Sequence, residues 1–319
     1  MSGSNDHIGG EARRYGKATI GEAAARLRAG GLVAVPTETV YGLAADSTNA
    51  VAVAEIYRTK GRPDFNPLIV HVPDIAAARS LGRLNGLALR FAGEFWPGPL
   101  TLVVPKGKDC PVTAAVTAGL ETIALRCPAH PVMRQLLEES GLYLAAPSAN
   151  RSGGISPTTA DHVARSLGGN APMILDGGPC QQGIESTIVA VAGGNYRILR
   201  PGPVTQAQLE AIAGTAPLLA KTDLIEAPGQ MLSHYAPSKS LRLDAETATA
   251  DEYHIGFGPV PGDRNLSPDG DLAEAASQLF AALHEADASS KAGIAVAPIT
   301  NNGIGIALND RLRRAASPK

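Results

Sequence analysis

The apolar run Leu32-Val33-Ala34-Val35 passes directly into Pro36 and then into Thr37, Glu38, Thr39 and Tyr41. Four apolar residues between a glycine pair and a proline read as a buried strand, which the proline ends. Polar side chains at such a strand end stand where open α/β sheets place their ligands. Two more polar clusters follow: Lys60-Gly61-Arg62 behind a helical segment, and Asn66-Pro67 ahead of a second apolar run, Leu68 to Val70, that exits at His71. Hydroxyls, two cations and an imidazole delivered to one rim suit a small anionic ligand better than a packed core.

Helices are expected near 20–29, 50–58, 87–94, 131–140, 159–167 and 205–213. Strands are expected near 32–35, 68–71, 100–104, 122–126, 143–146, 173–175, 187–191 and 196–200. The 35 glycines and 24 prolines among 319 residues exceed the usual share and bound several strands directly. That favours a twisted mixed sheet with many shaped loops over a regular doubly wound one. From residue 214 the periodicity weakens, and 214–240 reads as a linker. Beyond it, strands at 241–243 and 253–257, a helix at 271–286, a strand at 293–297 and a helix at 301–315 make a small α/β domain. The expected division is a disordered leader at 1–17, a larger domain at 18–213, the linker, and a small domain at 241–319.

Charge and motifs narrow the function. Lys plus Arg number 28 against 30 Asp plus Glu, a formal net charge of −2, so the chain lacks the basic excess of a protein that coats nucleic acid. No run of about 18 apolar residues and no apolar signal core occur, which points to a cytoplasmic protein without a membrane span. Cys110, Cys127 and Cys180 form no CxxC pattern and read as free thiols in a reducing compartment; no metal-binding motif is present. There is no GxxxxGK[ST], no GxGxxG after a strand, no HExxH and no GxSxG.

Further clusters join the first three. Residues 142–158, LYLAAPSANRSGGISPT, are a buried strand opening into a loop with Ser148, Asn150 and Ser156 among small residues, where a ligand can approach the backbone. Glu185-Ser186-Thr187 opens one strand, while Arg126 and Arg200 each end another. A cation at one strand exit is usually a solvated end. Here His71, Arg126, Arg200 and the Lys60/Arg62 pair repeat the placement.

The ordered set PTETVYGL, KGRPxxNPLIVH, WPGPLT, ETIALR, AAPSAN, SPT, ESTIV and LRPGPVT resembles the YrdC/Sua5 family of threonylcarbamoyl-adenylate synthases over residues 18–213. Lys60-x-Arg62 and Ser148-x-Asn150 match that family's KxR and SxN signature. SHYAP at 233–237 and NDRLRRAA at 309–316 resemble the longer Sua5 form. The resemblance implies a YrdC-like twisted open sheet with a concave basic face, plus a small Rossmann-like Sua5 domain. It implies a nucleotidyltransferase that joins L-threonine, bicarbonate and ATP into L-threonylcarbamoyl-AMP and pyrophosphate, for N6-threonylcarbamoyladenosine in tRNA. Carried over residue by residue, Lys60, Arg62, Ser148 and Asn150 would be catalytic. Thr37, Thr39, His71, Arg126, Ala146 and Ser186 would hold threonine. Arg62, Asn66, Thr122, Ser148, Asn150, Ser156, Arg200, His234 and Tyr235 would hold ATP, which brings Mg²⁺ with it. A separate tRNA threonylcarbamoyl transferase would consume the product, with weak or no direct tRNA binding by this chain.

Clustered cations in a partly desolvated groove suit this chemistry, because a carbamate and a triphosphate repel each other. A competing reading is a non-catalytic RNA-binding module on the same sheet, against which stand the charge balance and an aromatic content of only 4%. The linker's imidazole and phenol, His234 and Tyr235, read as a lid over ATP. On the sequence alone, the linker rather than the C-terminal domain is what synthesis requires.

Overall fold

The structure, a computed structural model, describes residues 14–15, 20–219, 226–228 and 234–317. The chain begins with β1 (Arg14–Tyr15), α1 (Ile20–Arg28), β2 (Val33–Val35), β3 (Gly42–Asp46), α2 (Ala50–Lys60) and β4 (Ile69–His71). It continues through α3 (Ile75–Leu81), α4 (Gly86–Phe95), β5 (Leu100–Pro105), α5 (Ala114–Thr117), β6 (Thr122–Arg126), α6 (Pro131–Ser140) and β7 (Leu144–Ala145). Then come α7 (Ala160–Leu167), β8 (Met173–Leu175), β9 (Thr187–Ala192), β10 (Asn195–Arg200) and α8 (Gln206–Ala213). The ten strands form one mixed sheet in the order β1-β8-β2-β3-β7-β4-β6-β5-β9-β10.

A second sheet, of four parallel strands, follows: β11 (Ser240–Arg242), β12 (Glu252–Gly256), β13 (Arg264–Asn265) and β14 (Gly293–Val296), ordered β11-β14-β12-β13. α9 (Leu272–Ala288) and α10 (Gly305–Ala316) cover it. The expected architecture, a large mixed α/β sheet with a small α/β unit after it, is the observed one.

Three expectations change. Gly42–Asp46 is a strand that the sequence hides, because four of its five residues are buried on both faces and no alternation survives. α3, α5 and β13 are short elements that propensity alone does not reveal. Arg14–Tyr15, assigned to a leader, pairs in parallel with β8. The rest of that 1–17 segment lies outside the described residues, as do 220–225 and 229–233 of the linker.

Packing leaves one sheet face for the site. α2, α4 and α7 bury their apolar stripes in the main core, and α1 with α6 closes a second cluster over β2, β3 and β7. A third, small cluster of Ile69, Val103, Ala124, Ile188, Ala190 and Leu199 lies across β4, β5, β6, β9 and β10, and Ala227 of the linker caps it. Because side chains alternate along a strand, Ile69 shares its face with His71, and Ala124 shares its face with Thr122 and Arg126. Polar groups therefore fringe an apolar floor. The two units meet closely at Gly183, where φ is +68° and a Cβ would lie 2.4 Å from the Ala276 carbonyl oxygen of α9.

Candidate active site

At one end of the floor, Arg126 leaves β6 and is held at each of its three guanidinium nitrogens. Its Nε donates to Gly98 O at 3.3 Å, its Nη1 to Thr39 Oγ1 at 2.8 Å and its Nη2 to Glu38 Oε1 at 2.5 Å. Glu38 Oε2 accepts from Ala129 N at 3.0 Å. Burial alone would raise the Glu38 carboxyl, but the Arg126 charge and hydrogen bond outweigh it and hold the group below its usual range.

The two threonines beside this pair have unequal capacity. Thr37 Oγ1 gives its proton to Val40 O at 2.7 Å and accepts from Thr39 N and Val40 N, both at 3.2 Å. With that proton committed, the 2.8 Å contact between the two hydroxyls is donated by Thr39, and the two longer amide N–H contacts share the other Thr37 lone pair. Thr37 Oγ1 is saturated and holds the turn after β2. Thr39 accepts from Arg126, donates to Thr37 and keeps one lone pair for a ligand donor. His71, at the exit of β4, is buried; burial first and the Arg126 charge second push its pKa down to about 3, so its ring is neutral. Its Nδ1 has no hydrogen-bond partner among the described residues.

The other end carries uncompensated cations. Arg62 donates to the Asn66 and Pro67 carbonyls, at 3.2 and 2.9 Å, and burial brings its pKa down to about 10. Arg200 donates to Ser186 O from Nε at 3.1 Å and from Nη2 at 2.9 Å, to Ser186 Oγ at 3.2 Å, and weakly to Pro228 O at 3.5 Å. Lys60 donates to Ser148 O and Asn150 O, both at 2.5 Å, and burial lowers its pKa well below the ordinary lysine value. Among the described residues none of the three has a carboxylate within 4.0 Å, although all are buried. Burial, then the charges of Arg62, Lys60, Arg200 and Arg311, hold His234 neutral.

Glu185 and the linker close the wall. Glu185 Oε1 accepts from Ser156 Oγ at 2.5 Å, and its Oε2 accepts from Arg311 Nε of α10 at 2.9 Å. Burial opposes the Arg311 charge, but Tyr235, Glu185 and Asp310 together outweigh it and raise the pKa. The Arg311 guanidinium also stands 5.4 Å from the centroid of the Tyr235 ring. With Pro228, His234 and Tyr235 lining it together with the sheet residues, the cavity is about 50 Å³. That holds a few water molecules, far below the ~300 Å³ or more of small-molecule sites.

Eleven of the expected site residues line this cavity: Thr37, Thr39, Arg62, His71, Arg126, Ala146, Ser148, Ser186, Arg200, His234 and Tyr235. Five do not. Lys60 and Asn150 lie behind the wall and fold the 148–154 loop; Asn150 Nδ2 reaches Arg151 O and Gly154 O, and its Oδ1 takes the Ser148 proton at 2.6 Å. Ser156 is spent on Glu185. Asn66 offers its carbonyl to Arg62. Thr122 opens β6, roughly 13 Å from Arg126 along the same face, and lines a separate recess with Asn195, Arg197 and Glu226. Sequence reasoning assigned no role to Glu38, Glu185, Pro228 or Arg311. Glu38, Glu185 and Arg311 stood inside recognised motifs and carried that signal; Pro228 carried none.

Comparison with known proteins agrees with this geometry. A family model described as "Telomere recombination", Sua5_yciO_yrdC, matches residues 25–202, and one described as "Threonylcarbamoyl-AMP synthase, C-terminal domain" matches 204–317. The threonylcarbamoyl-AMP synthase of Bacillus subtilis is 39% identical over 93% of this chain and 92% of its own length. That of Pyrococcus abyssi is 37% identical over 92% and 93%. The crystal structure of P. abyssi Sua5 complexed with L-threonine superposes with a TM-score of 0.87 at 34% identity, covering 95% of this chain and 96% of that one.

Proposed function

The chain belongs to the Sua5/YrdC family in its two-domain form, and from that premise we propose that it is a threonylcarbamoyl-AMP synthase. It converts ATP, L-threonine and bicarbonate to L-threonylcarbamoyl-AMP and pyrophosphate, the precursor step of N6-threonylcarbamoyladenosine synthesis. The observation that carries the reading is the pairing of unlike ends in one cavity: buried Arg62 and Arg200, without an ion-pair carboxylate among the described residues, facing Arg126 and Thr39 across the floor.

The chemistry follows from that division. Threonine's carboxylate meets the outward edge of Arg126, and its ammonium or hydroxyl donates to the remaining Thr39 lone pair. The deprotonated amine adds to bicarbonate with loss of water, giving a carbamate, and neutral His71 and Ala146 form the wall beside it. A carbamate oxygen then attacks the α-phosphorus of ATP, and pyrophosphate leaves toward Arg62 and Arg200. Positioning and charge neutralisation do most of the work in such transfers. Ser148, with its proton held by Asn150, offers lone pairs to the nucleotide's hydroxyls, and Ser186 fixes Arg200. Lys60 and Asn150 act by shaping the loop, and Thr122 serves the base or ribose end. His234 and Tyr235 form a lid that excludes water from the labile adenylate.

Residues 18–213 are then the catalytic part, 214–240 the linker and lid, and 241–319 the second domain. Mg²⁺ would arrive on the ATP phosphates; among the described residues no group of three or more His, Cys, Asp or Glu is placed to hold it. A separate transferase would pass the threonylcarbamoyl group to tRNA in the cytoplasm, and among the described residues no helix is long and apolar enough to cross a membrane. An RNA-binding role without catalysis is disfavoured, since Lys60, Arg62 and Arg200 are each at most 8% exposed and offer no surface to a phosphate backbone. Pyrophosphate release that requires threonine tests the assignment.

A further inference from the structure

We propose that Glu38 is a positioning residue that divides the cavity electrically. It aims Arg126 at the amino acid and cancels the charge that would otherwise draw the triphosphate into the amino-acid end.

Glu38 and Arg126 form an ion pair at 2.5 Å with side chains 7% and 4% exposed. The carboxylate is fixed at both oxygens, by Arg126 Nη2 and by Ala129 N, and its backbone is fixed by Gln182 N donating to Glu38 O at 2.7 Å. It therefore locks the strand end of β2 to the turn after β6. With Gly98 O and Thr39 Oγ1 taking the other Arg126 contacts, the guanidinium plane has one orientation. At the opposite end, among the described residues, Arg62 and Arg200 donate to carbonyls and a hydroxyl and neither has an ion-pair carboxylate of its own. One cavity thus has a neutral end and a positive end.

The two substrates differ in the matching way. Threonine is a zwitterion that needs direction more than net charge, whereas ATP carries a dense negative charge attracted by any unpaired cation. Discrimination between two ligands in a shared cavity requires a feature that repels or fails to attract the wrong one. The Glu38 carboxylate is such a feature. This rests on the reading that Arg126 receives threonine's carboxylate.

Glu38→Gln keeps the side chain's size and one carbonyl acceptor while removing the charge. In the full chain, threonine KM should rise about tenfold or more, the effect of weakening a charge-assisted contact, with ATP KM and kcat within about twofold. Pyrophosphate should compete only with ATP in the unaltered protein and become competitive with threonine as well in Glu38→Gln. Glu38→Asp keeps the charge but shortens the reach, so threonine KM should rise while the inhibition pattern stays unchanged. Unchanged threonine KM and inhibition pattern in Glu38→Gln would overturn the proposal. So would equal losses in every parameter with a lowered melting temperature, or pyrophosphate competing with threonine in Glu38→Asp. Arg126→Ala is measured alongside: if it leaves threonine KM unaltered, the reading of Arg126 has failed and the proposal goes with it. A raised KM there with no Glu38 effect sinks the proposal alone.

Discussion

Arg311 Nε donates to Glu185 Oε2 at 2.9 Å across 126 residues of sequence, from a side chain with no exposed surface. The last helix therefore supplies a cation to the wall of the cavity in the first domain, and Arg311 holds the Tyr235 ring as well. Removing one member of a buried ion pair typically costs about 3–5 kcal/mol, because the other charge stays buried alone. Arg311→Ala should abolish most adenylate synthesis and lower the melting temperature. The sequence alone suggested that a chain cut after Ser240 would keep much of its activity; the pair reverses that. Truncations after Thr215 and after Ser240 should be about equally inactive, and a soluble, active Ser240 truncation would show that Arg311 is dispensable.

Lys60 spends two donors on Ser148 O and Asn150 O. Lys60→Ala should leave both carbonyls without their partner, costing about 2–4 kcal/mol of stability as well as activity. Urea unfolding beside the pyrophosphate assay checks both effects. Lost activity at full stability would instead return Lys60 to direct phosphate contact.

His71, His162 and His284 have pKa values brought down to about 3, 3 and 4, burial being the largest cause for each. An unfolded histidine titrates near ~6.5, so below that pH the unfolded chain binds more protons and the fold loses stability; above it the effect is flat. His162 and His284 also stack across the two domains at 3.9 Å between ring centroids, with His284 Nε2 donating to Ser156 O at 3.2 Å. Thermal melts between about pH 7 and pH 5 should show falling stability, with a shallower slope for His284→Phe. An unchanged slope in that variant would show that His284 is accessible to protons in the fold.

Thr37 and Thr39 should separate under mutation. Thr37→Val removes a saturated turn hydroxyl and should lower stability by about 1–2 kcal/mol with threonine KM changed little. Thr39→Val removes the acceptor of Arg126 and the free lone pair, and should raise threonine KM about tenfold. Unaltered threonine should also be strongly preferred over 2-aminobutyrate, and less strongly over serine, since a site that pairs a hydroxyl rejects its absence more than a lost methyl. Steady-state kinetics with the three amino acids decides it. A larger KM effect at Thr37 than at Thr39 would contradict the hydrogen-bond directions.

Strand ends were legible in the sequence because a buried strand announces itself by composition and its exit by a proline or a cation; 122–126 and 173–175 fall where expected. Gly42–Asp46 was not legible, since small buried residues leave no period. The motifs gathered most of the cavity, yet they could not say which way each side chain turns. The sequence marks Lys60 as a phosphate ligand but does not show that its Nζ donates to two carbonyls of the 148–154 loop, and it marks Thr37 and Thr39 alike although their hydroxyls have different partners. Arg311 stood in the NDRLRRAA motif, but its partner was unreadable: Glu185 lies in the other domain, and no local pattern encodes a contact at that separation.

The most direct test is to incubate the full chain with ATP, Mg²⁺, L-threonine and carbon-labelled bicarbonate, then separate the nucleotides and follow the label. The account predicts labelled threonylcarbamoyl-AMP and pyrophosphate in equal amounts, both absent when threonine is omitted. Pyrophosphate formed without threonine, or an adenylate without bicarbonate carbon, would contradict it.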